Sequence, residues 1–178
     1  MPETNKKVLI LNQAEIGNKL IRIAYQILED NFEEHEIVLV GVAPHGYIIA
    51  ERLSEQLNSI SKGEKQITLM KVTIDKEKSS LDASTDIPVH DVQNKTIILV
   101  DDVLSSGRTL AYAMGVFFDI PLKKMRTAVL IDRSHHRFPV YSDYYGMKLS
   151  TTLKEHVTVS LRAKDGSGKV QEDAAWLS

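Results

Sequence analysis

A chain of 178 residues with 43% hydrophobic and 26% charged side chains has the composition of a soluble globular protein with a substantial core. Its formal net charge of -2 excludes a global basic field that would call for nucleic acid. The absence of cysteine excludes disulfides and thiolate chemistry and fits a cytoplasmic protein, and no apolar run approaches membrane-spanning length. We expect a single domain over 1–178, with loose termini at 1–7 and 164–178.

The first predicted helix follows Asn12, which with Glu15 has the spacing of a capping box. Apolar residues then recur at helical spacing from Ile16 to Leu28, giving one apolar face. Downstream, the apolar pattern predicts a buried strand, a tight loop, a second helix and a second strand, over 37–40, 41–46, 48–57 and 67–74 respectively.

The segment from Asp75 to His90 shows no helical or strand period. A long aperiodic stretch inside a domain is typical of either a disordered segment or a functional lid. Periodicity returns with a buried strand from Thr96 to Val100, and further strands are predicted over 127–131 and 157–161.

Strands that alternate with helices predict an α/β fold with a central, mostly parallel sheet flanked by helices. Ligands of such sheets bind beyond the carboxyl ends of the strands. Three loops follow strands in this way: 43–46, 101–109 and the segment after Asp132. We therefore expect all three loops on one rim.

The central loop combines two kinds of chemistry. The turn from Ser105 to Thr109, followed by helix-forming residues, is suited to hold a phosphate through backbone N–H groups and the helix dipole. Carboxylates at Asp101 and Asp102 would repel that phosphate, so their partners are sugar hydroxyls, a magnesium ion or a developing cation. A phosphorylated sugar satisfies both halves. The stretch is neither a Walker loop nor a dinucleotide fingerprint, because the required lysine and glycines are missing.

The run from Ile97 to Thr109 resembles the phosphoribosyl-pyrophosphate signature of the type I phosphoribosyltransferases: four apolar residues, two acids and a hydroxyl-glycine loop. The similarity is greatest to the branch that combines uracil transfer with attenuation of pyrimidine operons. It is carried by Asp86-Ile87-Pro88-Val89, Val100-Asp101-Asp102-Val103-Leu104, Leu130-Ile131-Asp132-Arg133 and Asp143-Tyr144-Tyr145-Gly146. The resemblance implies the type I fold with a small hood over the base site.

The resemblance also implies a role for each matching residue. Asp101 and Asp102 hold the ribose hydroxyls and, mainly through the donor and water, Mg2+. The 5'-phosphate is bound by Ser105, Ser106, Gly107, Arg108 and Thr109. Pyrophosphate is bound by Pro44, His45 and Gly46, and a catalytic loop over 75–84 carries Lys76 where relatives have an arginine. The base is bound by Asp132, Tyr144 and Tyr145.

Three positions depart from the family pattern. His45 stands where relatives usually have Lys or Arg, and the catalytic-loop pattern Tyr-Arg-Asp-Asp-Leu is absent. Ser105 stands where purine-type relatives usually have an aspartate. The expected function is therefore phosphoribosyl transfer to uracil, giving UMP and pyrophosphate. The alternatives are a purine phosphoribosyltransferase for hypoxanthine, guanine or xanthine, and a weakly catalytic pyrimidine regulator that binds RNA or senses nucleotide.

Expected partners are phosphoribosyl pyrophosphate and a nucleobase, with no membrane, and the resemblance suggests a homodimer or tetramer. RNA binding needs a basic surface. The net charge is -2, and Tyr141 and Met147 occupy places where basic residues would be expected, so the sequence does not favour RNA binding. The candidate basic residues are Arg133, His135, His136, Arg137, Lys148 and Lys154.

Overall fold

The computed structural model describes residues 7–75, 83–152, 155–163 and 172–178. In chain order its strands and helices are β1 (Val8–Leu11), α1 (Gln13–Asp30), β2 (Glu36–Val42), α2 (His45–Ile60), β3 (Gln66–Ile74), β4 (Ala83–Thr85), a 3-10 helix (Val89–Val92), β5 (Thr96–Leu104), α3 (Arg108–Gly115), β6 (Lys124–Asp132), β7 (Tyr144–Lys148), β8 (Val157–Ser160) and β9 (Ala174–Leu177). No helix in these ranges is long and apolar enough to span a membrane.

The main sheet has the strand order β4-β3-β2-β5-β6-β7. Its last five strands run parallel to one another, and only β4 is antiparallel to its neighbour. The predicted central, mostly parallel sheet is confirmed. Parallel strands joined by helices end on the same side, so the loops after β2, β5 and β6 share one rim.

The central strand β5 is buried on both faces, which explains its uninterrupted apolar sequence. Ile98 and Val100 pack into a cluster with α1 and α2, whereas Ile97 and Leu99 pack on the opposite face with α3. All four are 0% exposed. Burial of side chains of this size contributes about 1.5–3 kcal/mol each, so the strand that carries the two carboxylates is firmly held.

Helix α1 begins where the sequence predicts. The Asn12 side chain accepts from the N–H of Glu15 at 2.9 Å, and the Glu15 carboxylate accepts from the N–H of Asn12 at 2.8 Å. This capping box satisfies two N–H groups that the helix leaves without intrahelical partners. The buried side chains of α1 are Ile16, Leu20, Ile23, Ala24 and Ile27.

The sequence predicts a loose terminus over 164–178, but part of this range is a strand. Residues Ala174–Leu177 form β9, which lies between β1 and β8 in a three-stranded antiparallel sheet. Ala175 is fully buried there. The periodic signal is weak because these strands have four residues each, and their stability depends on pairing between the two ends of the chain. Residues 1–6 and 164–171 lie outside the described ranges.

The aperiodic segment also contains structure that the sequence does not predict. Strand β4 pairs with β3, and a 3-10 helix covers Val89–Val92. The Asp86 carboxylate accepts from the N–H of Lys71 at 2.6 Å, which fixes the return of the chain to the sheet. The residues of the expected lid from 76 to 82, including Lys76, lie outside the described part of the chain.

Candidate active site

The two acidic residues at the centre of the rim lie within β5, and not after it as the apolar run predicts. Their backbone stays in the sheet, where Asp101 pairs with Val129 and Val103 with Ile131. The Asp101 carboxylate accepts from the N–H of Asp102 at 2.9 Å, and the Asp102 carboxylate accepts from the N–H of Val103 at 2.8 Å. These bonds orient both acids at the rim.

His45 lies directly against Asp102. Its Nδ1 is 3.0 Å from Asp102 Oδ2, although 57 residues separate the two positions. The hydrogen bond to Asp102 raises the pKa of His45 above its usual value, outweighing partial burial. Burial of Asp102 pushes the pKa of this carboxyl upward, but the bond and charge of His45 outweigh it and lower the pKa. The pair therefore favours an imidazolium beside a carboxylate.

The loop that carries His45 approaches β5 through a glycine. A Cβ added at Gly46 would lie 2.4 Å from the carbonyl oxygen of Val100 and 2.9 Å from Cα of Asp101. Only glycine permits so close an approach. The Ala43-Pro44 peptide bond preceding it is cis. The structure thus brings the predicted pyrophosphate residues Pro44, His45 and Gly46 beside the two carboxylates.

The predicted phosphate loop runs from the end of β5 into α3. Gly107 has φ 81°, a left-handed conformation that suits glycine, and α3 begins at the next residue. The Ser106 hydroxyl accepts from the N–H of Arg108 at 3.3 Å. A cavity of about 50 Å³ opens here, lined by Asp101 and residues 103–110. Ser105, Ser106, Gly107, Arg108 and Thr109 therefore surround one small polar cavity next to the acids.

Asp132 lies on the rim, but its side chain organises the loop that follows β6. Its carboxylate accepts from the Ser134 N–H at 2.9 Å and the Ser142 hydroxyl at 2.7 Å, and lies 2.9 Å from Nε2 of His136. Burial alone would raise the pKa of Asp132, but the bonds from Ser142, Ser134 and His136 bring it below its usual value. With its oxygens engaged in these bonds, the Asp132 side chain holds the loop that follows β6.

The structure places Tyr144 away from the rim, contrary to its predicted place in the base pocket. Tyr144 pairs with Ala128, whereas the rim end of β7 is Lys148, opposite Asp132. Four residues separate these levels, about 13 Å along the strand. The Tyr144 ring is buried in the core under α1, and its hydroxyl donates to Asp30 at 2.5 Å. Burial and this bond raise the pKa of the Tyr144 hydroxyl, so it stays protonated.

Tyr145 points to the opposite face of the sheet from Tyr144, because successive side chains of a strand alternate. It packs at the edge of the core cluster that includes α3, and Nζ of Lys148 lies 4.6 Å from its ring centroid. The two tyrosines therefore cannot line one pocket. Tyr145 is the member of the pair that lies on the same face as the phosphate loop's helix.

Sequence reasoning assigned Arg133 to a candidate basic surface, but only 8% of this residue is exposed. Its guanidinium lies inside the rim and donates to Ser105 Oγ at 3.1 Å. The sequence hint for this burial is that Arg133 directly follows a buried strand, at a position where a side chain can face either the interior or the solvent. His135 also turns inward, since its Nε2 hydrogen-bonds to the carbonyl of Thr151.

A phosphate-sized cavity, two oriented carboxylates and a cationic loop on one rim of a parallel sheet define a site for a phosphorylated sugar. Comparison with known proteins agrees. The chain matches the phosphoribosyl transferase domain over residues 9–164. It is 36% identical over 168 residues to a bifunctional protein pyrR of Enterococcus faecalis, covering 90% of this chain and 93% of that protein. A bifunctional protein PyrR of Bacillus mycoides is 34% identical over 174 residues, covering 93% and 96%.

Solved structures show the same fold at lower sequence identity. A hypoxanthine phosphoribosyltransferase of Trypanosoma cruzi superimposes with a TM-score of 0.72 at 16% identity, over 94% of each chain. A hypoxanthine-guanine phosphoribosyltransferase of Bacillus anthracis gives 0.67 at 22% identity, over 79% of this chain and 81% of that one. The chain belongs to the phosphoribosyltransferase family, and it is an enzyme of the glycosyltransferase type.

Proposed function

We propose that this phosphoribosyltransferase transfers ribose 5-phosphate from phosphoribosyl pyrophosphate to uracil, giving UMP and pyrophosphate. The observation that carries the proposal is the convergence of Asp101 and Asp102, the His45 loop and the Ser105–Thr109 loop on one rim. The choice of uracil is supported by the resemblance to pyrimidine-type relatives and by Ser105, which cannot act as the acidic group of purine-type enzymes.

The donor fits this rim in one orientation. The 5'-phosphate occupies the cavity of the Ser105–Thr109 loop, where N–H groups and the start of α3 favour an anion. The ribose hydroxyls donate to Asp101 and Asp102, which act only as acceptors when ionised. The pyrophosphate group faces His45, whose imidazolium offsets part of its charge. Each loop therefore meets the part of the donor whose charge it complements.

Transfer joins N1 of uracil to C1 of the ribose as the bond from C1 to the pyrophosphate oxygen breaks. The electron pair of that bond leaves with pyrophosphate, and N1 releases its proton to solvent water. The sugar passes through a cation-like state, by analogy with glycoside chemistry, and the carboxylates of Asp101 and Asp102 stabilise positive charge there. Orientation of the donor by both loops lowers the entropic part of the barrier.

The carboxylate pair also fits a magnesium ion held mainly through the donor. Mg2+ prefers oxygen ligands and commonly takes one or two carboxylates together with substrate phosphates and water. Within the described ranges no group of three or more acids and histidines could hold a metal. Asp101 and Asp102 would therefore hold the ion together with oxygens of the donor. Bound there, the ion offsets charge on the leaving pyrophosphate.

The test is pyrophosphate release from phosphoribosyl pyrophosphate and Mg2+ with uracil, hypoxanthine, guanine or xanthine supplied separately. We expect release with uracil. Release with a purine alone would identify that purine, and not uracil, as the substrate. No release with any base would contradict transferase activity. A second reaction without Mg2+ is expected to lose activity.

For partners, we propose a cytoplasmic homodimer or tetramer that binds phosphoribosyl pyrophosphate and a nucleobase, with RNA binding possible but not favoured. The burial of Arg133 supports the last point, since it leaves fewer cations for an RNA surface. Sedimentation at several protein concentrations measures the assembly. RNA affinity that falls steeply with salt would contradict the RNA part of the proposal.

A further inference from the structure

The side chain of Arg133 connects three parts of the rim. Arg133 directly follows β6, and its backbone N–H donates to the carbonyl of Leu104 at 2.9 Å. Its guanidinium donates to the hydroxyl of Ser105, the first residue of the phosphate loop, at 3.1 Å. On the other side it donates twice to Thr151 Oγ1, at 3.1 and 2.9 Å, and to the carbonyl of Glu155 at 2.6 Å. One side chain thus joins the phosphate loop to the segment leading into β8.

The positive charge of Arg133 is not neutralised by these contacts. Every acceptor is a hydroxyl or a carbonyl, and no carboxylate of the described residues forms an ion pair with the guanidinium. The adjacent Asp132 is engaged with Ser142 and its own loop. The Glu155 carboxylate accepts from the N–H of Thr152, which lowers the pKa of this carboxyl, and the charge of Arg133 adds to that lowering without a direct ion pair. A nearly buried cation without a directly bonded carboxylate is costly unless a further anion compensates its charge.

The bond from Arg133 also fixes the role of the Ser105 hydroxyl. A guanidinium can only donate, so Ser105 Oγ accepts from it and keeps its own proton for a different partner. Ser105 lines the cavity of about 50 Å³ at the phosphate loop. Its hydroxyl is therefore directed to donate to a group that only accepts hydrogen bonds. A phosphate dianion is such a group.

We propose that Arg133 is a positioning residue for phosphate recognition: it makes Ser105 a donor into the cavity and supplies buried positive charge behind the loop. The inference rests on the proposed function, since it assigns the cavity to the phosphate end of the donor. Arg133 acts through Ser105 and does not touch the ligand. It also ties the phosphate loop to Thr151 and to the carbonyl of Glu155.

The direct test is calorimetric affinity for ribose 5-phosphate, which needs no turnover. Arg133→Met keeps the apolar stem and removes the charge, and we expect roughly tenfold or greater weakening, the size typical of lost hydrogen bonds to charged groups. Arg133→Lys keeps the charge without the planar fork, so its affinity is expected between those of Arg133→Met and the unmodified protein. If Arg133→Met fails to fold, Arg133→Lys decides, and an affinity equal to the unmodified protein overturns the proposal.

A matched control is Arg126→Met. Arg126 lies near the start of β6, seven residues before Arg133 and about 23 Å from it, and pairs with Asp30 at the end of α1. The same loss of charge there is expected to leave ribose 5-phosphate affinity unchanged. Equal weakening in both variants would indicate a general loss of positive field or of stability and would overturn the assignment to Arg133.

A measurement of the coupling between Arg133 and Ser105 distinguishes a positioning role from simple structural support. Ser105→Ala is expected to weaken binding severalfold, and Arg133→Met is expected to cost less in the Ser105→Ala background than alone. Fully additive effects would overturn the role of Ser105. In steady-state assays the KM for phosphoribosyl pyrophosphate should rise in Arg133→Lys while the KM for the base stays constant. Ribose 5-phosphate binding without pyrophosphate release would contradict the proposed function and leave this inference standing.

Discussion

The contact between His45 and Asp102 is the residue-scale feature that most distinguishes this rim. It places a titratable imidazole, whose pKa is raised by the hydrogen bond to Asp102, beside a carboxylate proposed to bind ribose. His45 is 37% exposed at its side chain, so solvent and a ligand can both reach it. In the proposed complex the His45 imidazolium, held by Asp102, meets the pyrophosphate of the donor. Donor affinity is therefore expected to depend on the protonation of His45.

The first prediction concerns this pH dependence. The pKa of His45 is raised in the folded protein, so the stabilisation by the pair is complete below about pH 6.5 and is lost as pH rises through the raised pKa. The KM for phosphoribosyl pyrophosphate should increase over the same upper range. His45→Arg should remove this step, since arginine stays charged, and any remaining slope reports the titration of the donor itself. An identical profile for both proteins contradicts the role of His45.

The second prediction is that Asp102→Ala lowers kcat/KM for phosphoribosyl pyrophosphate by roughly 10- to 100-fold or more, because hydrogen bonds to a charged acceptor are lost. The fold should persist, since β5 is held by Ile97 to Val100. Asp91→Ala is the control: Asp91 is a half-exposed acid outside the rim, and its loss should leave the kinetics unchanged. Unaltered donor affinity in Asp102→Ala would remove the ribose role.

At the scale of elements, the site depends on the close approach between the start of α2 and the backbone of β5. The helix starts at His45, and its second residue, Gly46, packs against the backbone of Val100 and Asp101. No side chain fits between these two backbones. The pyrophosphate loop is consequently fixed relative to the carboxylates by packing, and the His45 contact depends on that packing.

The third prediction compares two glycine-to-alanine changes. Gly46→Ala should destabilise the protein by about 1–3 kcal/mol through overpacking and should lower activity by shifting the His45 loop. Gly17→Ala should stabilise it by about 0.5–1 kcal/mol with unchanged activity, because Gly17 is an exposed position within α1 with no atom near the added Cβ. Urea unfolding and pyrophosphate release measure both effects. A tolerated Gly46→Ala would mean that the α2 start moves freely.

At the scale of the whole molecule, the small sheet of β1, β9 and β8 is held to the main body by Arg52 of α2. The guanidinium contacts Asp173 at 2.5 and 3.0 Å and also donates to the carbonyl of Arg162 at 2.8 Å. The Asp173 side chain is 11% exposed and accepts as well from the N–H of Arg162. This cluster therefore joins residues that are more than a hundred positions apart in the chain.

The fourth prediction is that Arg52→Met destabilises the protein by about 3 kcal/mol, because it leaves the Asp173 carboxylate largely buried without its partner. Thermal or urea unfolding measures this. His90→Ala serves as the control, since the paired side chains of His90 and Asp91 are 71% and 52% exposed and an exposed pair contributes under about 1 kcal/mol. Equal effects in the two variants would contradict a special role for the Arg52 cluster.

Local patterns in the sequence identified the main features of this protein. The helices α1, α2 and α3, the strands β2, β3, β5, β6 and β8, the α1 capping box, and the acidic pair with its phosphate loop are all readable, because each depends on neighbours a few residues apart. The convergence of three loops on one rim also follows, since parallel strands end together. The class of ligand could be inferred from these alone.

Tertiary structure decided the features that join distant positions. The His45 to Asp102 contact spans 57 residues, the Arg133 to Ser105 bond spans 28, and β9 forms only because the two chain ends pair. Tyr144 entered the core because the register of β7 sets its level and face, which no local pattern reveals. The sequence by itself determined the phosphate loop and the acidic pair, because both are local. Packing decided which charged residues lie next to them, since long-range contacts are made only when the sheet and helices assemble.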